Sequence, residues 1–415
     1  MMFRYWQGSK TMVSVAVMGY GTIGSGVVKV LDMNADLIAK RAGQEVKVKY
    51  ILDIREFPED PHADIVVHDV NTILSDPDVT VVVETMGGTG AAYTFVKAAL
   101  EAGKHVATSN KALVEKYGVD LMETAAEKNV NFFYEASVGG GIPILRTIDL
   151  CLTGDEITEI AAIINGTTNY ILTKMADEGA AFEDVLKEAQ ALGFAEADPT
   201  ADVEGHDVGR KIAILTSQIS GHNVNFEDLH VEGISKISAA DMLYAKKMNR
   251  CIKLLAISHK AGDTYGMIVA PFLLGPENPL SSVNGVLNAV FVRSNALGDS
   301  MYYGSGAGML PTASAVVADI VEIVKHPAES ISPKWDACTL KPAPWEEESY
   351  AYFVRLARDA EDKEVQAAET FGQLSYVTVK ELPDEFGLIS APMKEKELQE
   401  KLSALGGVRS VIRLG

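Results

Sequence analysis

Cysteine is scarce in this chain. Its three residues, Cys151, Cys251 and Cys338, have no CxxC partner, so neither a disulfide framework nor a thiolate zinc site is expected. Each reads as a buried small hydrophobe. Long apolar runs are missing as well: stretches such as 65–67 and 79–83 fall far short of the roughly 20 residues that cross a bilayer. Positive charge is in deficit, with 37 basic against 57 acidic residues and a formal charge of −20. Such a field repels a phosphate backbone, so nucleic acid is not an expected partner. The first twelve residues hold Arg4 and Lys10 but no apolar stretch leading to a small-residue cleavage site. No secretory signal is read there, and a cytoplasmic protein is expected. Internal repeats and low-complexity tracts are lacking too.

What is present is an ordinary globular composition, 47% hydrophobic and 23% charged over 415 residues, enough for two to four domains at roughly 100–200 residues each. Short β-branched runs at 13–18, 46–52, 65–68, 79–84, 105–108 and 131–134 alternate with helical patterns such as 91–102, which Gly103 ends as a C-cap would. That alternation predicts βαβ units feeding a parallel sheet. From about residue 150 the rhythm changes. Helices are expected at 182–192 and 205–221 and strands at 157–164, 267–274, 289–293 and 300–304, an α+β second domain. An apolar helix at 312–326 follows, then a proline-bearing linker, 331–348. The last segment, 349–415, reads strand, helix, strand, strand, helix, strand.

The first strand runs straight into Gly19-Tyr20-Gly21-Thr22-Ile23-Gly24, and a helical pattern follows. In that context GxGxxG marks a dinucleotide site of Rossmann type: Gly19 for the tight turn, Gly21 for close approach of a pyrophosphate, Gly24 for helix packing, with Thr22 and Ile23 opening the helix that receives the phosphates. The second strand ends Asp53-Ile54-Arg55. Asp53 suits a ribose 2′-hydroxyl and Arg55 a 2′-phosphate, so NAD and NADP both stay open, with a lean to NAD.

The segment 189–211 is crowded with ionisable groups, among them Glu196, Asp198, Asp202, Glu204, Asp207 and Lys211. Asp207 and Lys211 stand four apart in a predicted helix, roughly 40° apart on one face. A solvated pair is the usual meaning of that spacing. Here, however, Lys211 opens the apolar run Ile212-Ala213-Ile214-Leu215, so partial burial, with a lowered pKa suited to a general base, is expected.

In residues 189–211, Ala189, Gly193, Phe194, Ala195, Asp198, Pro199, Asp202, Gly205, Asp207 and Lys211 stand at the spacing of the homoserine dehydrogenase signature, which the segment resembles. Thr85-Met86-Gly87-Gly88, Ser109-Asn110-Lys111-Ala112-Leu113, Glu135-Ala136-Ser137-Val138-Gly139-Gly140-Gly141-Ile142-Pro143, Asn165-Gly166-Thr167-Thr168-Asn169-Tyr170-Ile171 and Gly304-Ser305-Gly306-Ala307-Gly308 extend the resemblance from residue 13 to about 330. It implies an NAD(P)-dependent enzyme interconverting L-homoserine and L-aspartate 4-semialdehyde, in the biosynthetic branch to threonine, methionine and isoleucine. The implied layout is a nucleotide domain at 12–150 completed by a returning helix at 310–330, and a substrate and dimerisation domain at 151–309. A homodimer or homotetramer is implied.

The resemblance also implies roles. Lys211 is the acid/base, Asp207 orients it or binds substrate, Lys111 is a second active-site lysine, and Glu196 holds the homoserine amino group, with Asp202 among the substrate residues. Thr85, Gly87, Ser109, Lys111 and Gly306 border the cofactor. The carbonyls of Glu135, Val138, Gly140 and Ile142 bind a monovalent cation such as sodium. The tail at 349–415 resembles an ACT domain, a βαββαβ amino-acid-sensing module, although its first turn, 358–363, lacks glycine. Threonine feedback and a purely oligomerising tail are both open. Two rivals are weaker. An acylating aspartate-semialdehyde enzyme needs a nucleophilic thiol, and Cys151 has no histidine or glycine elbow beside it. A silent NAD-binding sensor has no use for Asp207 and Lys211.

Overall fold

A computed structural model describes residues 12–372 and 375–415; Arg4 and Lys10 lie outside the described residues. The chain divides into two units. One comprises the chain up to Thr153 with Ser217–Asn223 and Ser305–Thr339, the other Gly154–Thr216, Val224–Gly304 and Leu340–Gly415. Among the described residues no helix is long and apolar enough to cross a membrane.

The first unit is built on six parallel strands, β1 (Met12–Met18), β2 (Glu45–Leu52), β3 (Val66–Val67), β4 (Val79–Glu84), β5 (His105–Thr108) and β6 (Phe132–Phe133), in the order β3-β2-β1-β4-β5-β6. This is the Rossmann order, and its direction reverses between β1 and β4. Runs such as VTVVVE suit the centre of such a sheet because both faces are covered there. Helices α1 (Thr22–Met33), α2 (Gly90–Glu101) and α3 (Lys111–Lys128) lie between the strands. The helix expected at 312–326 runs Met309–Lys325, and its Ala313, Val316 and Ile320 share one core with Val27, Val28 and Leu31 of α1. Gly26 permits that contact: a Cβ there would stand 2.7 Å from Met309 Cγ and 2.8 Å from its carbonyl oxygen. The stretch expected as a linker is folded at its start. Trp335 is buried, edge-on to Tyr134 at 5.6 Å, and Asp336–Thr339 pairs with His222–Asn223, since a buried indole is too large an apolar payload to leave in water.

The second unit carries a ten-stranded sheet. Its strands are β7 (Ile157–Ile163), β8 (Cys251–Ala261), β9 (Thr264–Leu274), β10 (Leu287–Ser294), β11 (Gly298–Ser305), β12 (Tyr352–Ala357), β13 (Ser375–Val377), β14 (Glu385–Ile389) and β15 (Val408–Leu414), with His230–Val231 paired to β9. The order is β11-β10-β7-β8-β9-β15-β12-β14-β13. β8 went unread in the sequence, because it is covered on both faces for most of its length and buries Lys253 and Ser258 among apolar residues, so it has no period-2 signal. It forms a hairpin with β9 across Gly262 and Asp263, Ala261 facing Thr264 and Gly262 at φ +63°. Helices α4 (Gly166–Glu178), α5 (Thr200–Val203) and α6 (His206–Ser220) precede it. In the tail, α7 (Lys363–Phe371) and α8 (Glu395–Leu405) complete the strand, helix, strand, strand, helix, strand order. Its last strand, β15, pairs in parallel with β9, Arg413 opposite Phe272, so the sheet continues from the tail into the rest of this unit.

The cysteines correct an expectation. Cys151 and Cys338 are exposed and Cys251 is half-buried. Cys151 closes a π-helical turn, Thr147–Cys151, and Cys338 lies in Asp336–Thr339, where all four residues are exposed. Backbone placement, not side-chain apolarity, decides burial for so small a residue.

Candidate active site

At the end of β1 the backbone turns tightly, with Gly19 at φ +93°. A Cβ on Gly24 would stand 1.9 Å from the Gly19 carbonyl oxygen, whereas a Cβ on Gly21 would meet nothing within 4 Å. Gly19 and Gly24 are therefore required by the fold itself, and Gly21 borders open space. Gly21 is the N-cap of α1, with no side-chain cap and no acidic residue in the first turn, which Thr22 and Ile23 begin. Uncapped N–H groups at the positive end of a twelve-residue helix, beside room for a ligand, fit a pyrophosphate. Thr85 locks the turn, its hydroxyl donating to the carbonyls of Gly19 at 2.8 Å and Met18 at 3.2 Å.

The Tyr20 N–H donates to Asp53 Oδ2 at 2.8 Å, which draws the acid at the end of β2 to the glycine turn. Arg55 grips the same carboxylate through Nε and Nη2, each at 2.9 Å. That pairing, helped by the Tyr20 and Arg55 backbone N–H groups and opposed by partial burial, holds Asp53 well below the usual carboxylate range.

Glu84, at the end of β4, is a site residue the sequence reading missed. It is fully buried, its Oε1 accepts from the N–H groups of Met86 at 2.8 Å and Gly87 at 3.2 Å, and its Oε2 accepts from the Thr108 hydroxyl at 2.5 Å. Burial pushes its pKa up against those bonds. The bonds shape the loop that carries Thr85 and Gly87, the latter at φ +78°. The Ser109 N–H donates to the Glu84 carbonyl at 3.3 Å. Asn110 then caps α3 and donates to the Gly88 carbonyl at 2.6 Å, so that half-buried Lys111 opens the helix. Thr85, Gly87, Ser109 and Lys111 thus gather at the carboxyl ends of adjacent strands, where ligands of such sheets bind.

In the loop 135–142, Gly139 and Gly140 are left-handed, at φ +72° and +55°. Close approach is required at Gly140, whose Cβ would stand 2.2 Å from the Gly306 carbonyl oxygen. The Glu135 carbonyl accepts from the Val138 N–H at 3.4 Å and the Ile142 carbonyl from the Ile144 N–H at 2.9 Å, which leaves each a second lone pair. The Glu135 carboxylate is committed elsewhere, to the N–H groups of Leu145 at 2.9 Å and Arg146 at 2.7 Å.

The second unit gathers its ionisable groups differently. Gly205, at φ +79°, lets the chain turn from α5 into α6, and Asp207 and Lys211 lie one helical turn apart with side chains only 5% and 12% exposed. A solvated surface pair is thereby excluded. Lys211 Nζ donates to Asp207 Oδ2 at 2.7 Å and to the Ile164 carbonyl at 2.8 Å. Asn165, which sequence reading quoted only as part of a motif, joins the carboxylates: its amide donates to Asp202 Oδ1 at 2.7 Å and Asp207 Oδ2 at 2.9 Å, while its own oxygen caps α4. A signal was present, since Asn before a helical run is a capping residue. Glu196 is exposed on the loop before α5, with its backbone carbonyl accepting from Gln190 at 3.0 Å. An amine held between a carboxylate and a carbonyl, in a largely dry setting, can exchange a proton with a bound hydroxyl.

Comparison with known proteins agrees with both units. The family model described as "Homoserine dehydrogenase, NAD binding domain" matches residues 19–135, and that described as "Homoserine dehydrogenase" matches 143–321. The homoserine dehydrogenase of Bacillus subtilis is 44% identical over 317 residues, 76% of this chain and 73% of that protein. The crystal structure of a homoserine dehydrogenase from Thiobacillus denitrificans superposes with a TM-score of 0.89 at 36% identity, over 97% of this chain and 98% of that one. A hyperthermophilic archaeal homoserine dehydrogenase in complex with NADPH superposes with a TM-score of 0.64 at 28% identity, over 75% of this chain and 97% of that one.

Proposed function

The chain belongs to the homoserine dehydrogenase family, NAD(P)-dependent oxidoreductases, and we propose that it interconverts L-homoserine and L-aspartate 4-semialdehyde in the branch leading to threonine, methionine and isoleucine. The observation that carries this reading is the buried Asp207–Lys211 pair with Asn165 bridging Asp202 and Asp207. When bound, the nicotinamide accepts or returns the hydride at the alcohol carbon. Lys211 takes the hydroxyl proton as the carbon–oxygen double bond forms and gives it back in the reverse direction. Asp207 and the Ile164 carbonyl hold that amine in one orientation, which spares the reaction the entropy of finding it. Asp202 and Glu196 supply negative charge for the substrate ammonium, and Lys111 is the second active-site cation.

Asp53 supports NAD over NADP, because a carboxylate fixed beside the glycine turn repels a 2′-phosphate and at the same time occupies Arg55. The NADPH bound in the archaeal relative is a reason to assay both. A sodium-like cation on the carbonyls of Glu135, Val138, Gly140 and Ile142, an ACT-like tail responsive to threonine, a homodimer or homotetramer and a cytoplasmic location complete the proposal. The deciding assay follows nicotinamide reduction with homoserine and each of NAD and NADP. Turnover with homoserine and not with malate or aspartate is expected; turnover confined to malate or aspartate would refute the substrate assignment. Added threonine is expected to change rate or melting temperature, and no change in either would refute the sensing role of the tail.

A further inference from the structure

The last strand of the tail is tied to the segment preceding the β8–β9 hairpin by an ion pair between a buried arginine and a glutamate whose side chain is 38% exposed. Arg413 in β15, its side chain 5% exposed, donates from Nη1 to Glu232 Oε2 at 3.0 Å and from Nη2 to Glu232 Oε1 at 2.8 Å. Nη2 also donates to Glu395 Oε2 at 2.9 Å, at the start of α8, where the Tyr352 hydroxyl adds a bond of 2.9 Å. His230 Nε2 lies 2.6 Å from Glu232 Oε1, and its ring stacks on Trp345 at 3.5 Å. Burial opposes the charge on Glu232, but the bonds from His230 and Arg413 outweigh it and hold its carboxyl at about 2. A two-pronged guanidinium–carboxylate contact fixes direction as well as distance.

The segment that Glu232 anchors lies on the turn between α5 and α6. Gly233 has no room for a side chain: a Cβ would stand 2.2 Å from the Val203 carbonyl oxygen and 2.5 Å from Glu204 Cα. The Ile234 N–H donates to that same Val203 carbonyl at 2.7 Å, and the Glu232 N–H to the Val269 carbonyl at 2.7 Å. A Cβ on Gly205 would meet Val231 Cγ1 at 3.1 Å. The clamped turn has Asp202 on one side and Asp207 on the other, the two carboxylates that share the Asn165 amide. Backbone packed this closely passes a displacement on instead of absorbing it.

We infer that Arg413 and Glu232 are positioning residues for the Asp202, Asn165, Asp207 and Lys211 cluster, so that the tail's last strand is required for productive binding of the amino-alcohol substrate. The inference rests on the proposed function for the identity of that substrate. Neither residue is assigned a substrate contact; both act through the α5–α6 turn. An ion pair with only its arginine buried is weak evidence of stabilisation in itself, and a directional constraint on the turn is what it supplies.

The test uses the full chain carrying Arg413→Met, Glu232→Gln, both together, or Arg413→Lys. Arg413→Met is expected to raise KM for homoserine about tenfold, with the dissociation constant for NADH, read by its fluorescence, unchanged. The double variant is expected to be no worse than the single one, and Arg413→Lys to recover part of the loss. Backbone amides of residues 200–209 are expected to exchange hydrogen faster in Arg413→Met. A lower melting temperature with wild-type KM and wild-type exchange at 200–209 would overturn the inference. If Arg413→Met does not fold, Glu232→Gln and Arg413→Lys decide by the same readouts. Should the wild type fail to turn over homoserine, the function falls while the exchange measurement still decides the coupling.

Discussion

The glycine turn of the first unit and the lysine cluster of the second are both ligand sites in this reading, yet they are made of different material. The turn is main chain: three glycines within six residues, a helix N-terminus and one threonine hydroxyl. The cluster is side chains from three separate places, 165, 202 and 207–211, joined by an amide and an amine, with one backbone carbonyl, that of Ile164. The backbone site tolerates no added atom at Gly19 or Gly24, where a Cβ would meet main chain. A side-chain site tolerates reshaping but fails when one partner is lost, because the remaining charges are buried without compensation.

That contrast can be broken most severely at Lys211. Lys211→Ala is expected to lower kcat by roughly 10²- to 10⁴-fold, while dinucleotide affinity, measured by fluorescence titration, stays within about twofold of wild type. Near-normal turnover would remove the residue from the mechanism. Gly24→Ala reverses the pattern. Its methyl would stand 1.9 Å from the Gly19 oxygen, so a steric cost of about 1–3 kcal/mol is expected to weaken NAD(P) binding by roughly 10- to 100-fold. The arrangement of 202–211, followed by hydrogen exchange, is expected to be unaltered.

Asn165→Ala sharpens the comparison inside the cluster. Losing the shared amide leaves two carboxylates facing each other, and about 1–3 kcal/mol is expected to appear mainly as a higher KM for homoserine, with cofactor affinity untouched. The smallest effect is expected from Asp53→Asn, which relaxes the repulsion of a 2′-phosphate and moves the NADP/NAD preference by about tenfold towards NADP. A steady-state ratio that does not move would leave Asp53 outside cofactor choice. Asp53 carries a depressed pKa, so its contribution to stability is present above its unfolded value of about 3.9 and fades as the pH drops below it. The melting-temperature gap between wild type and this variant is expected to narrow below about pH 4 accordingly.

These same two regions show what could be read from residues alone. The glycine turn was legible because its parts are contiguous and its spacing has one physical meaning, so strand, turn and helix fell where the pattern put them. Asp207 and Lys211 were legible as a pair, since helical geometry alone brings i and i+4 together, but their burial was an expectation until the tertiary packing was seen. Asn165 and Glu84 were not singled out, because each acts on residues distant in the chain. β8 escaped because Lys253 and Ser258 are buried among its apolar residues and break any polar–apolar alternation, and the exposure of Cys151 and Cys338 shows that side-chain chemistry does not decide which way a short surface segment faces.

Local periodicity and contiguous motifs thus decided the strand–helix alternation, the glycine turn, the family and the pairing of Asp207 with Lys211, all of which depend on residues near one another in the chain. Long-range pairing decided the rest: that β15 joins β9, that Arg413 reaches Glu232, and that one asparagine amide lies between two carboxylates. Such contacts form only when remote segments pack, and their geometry belongs to the packed core, not to any stretch of residues within it.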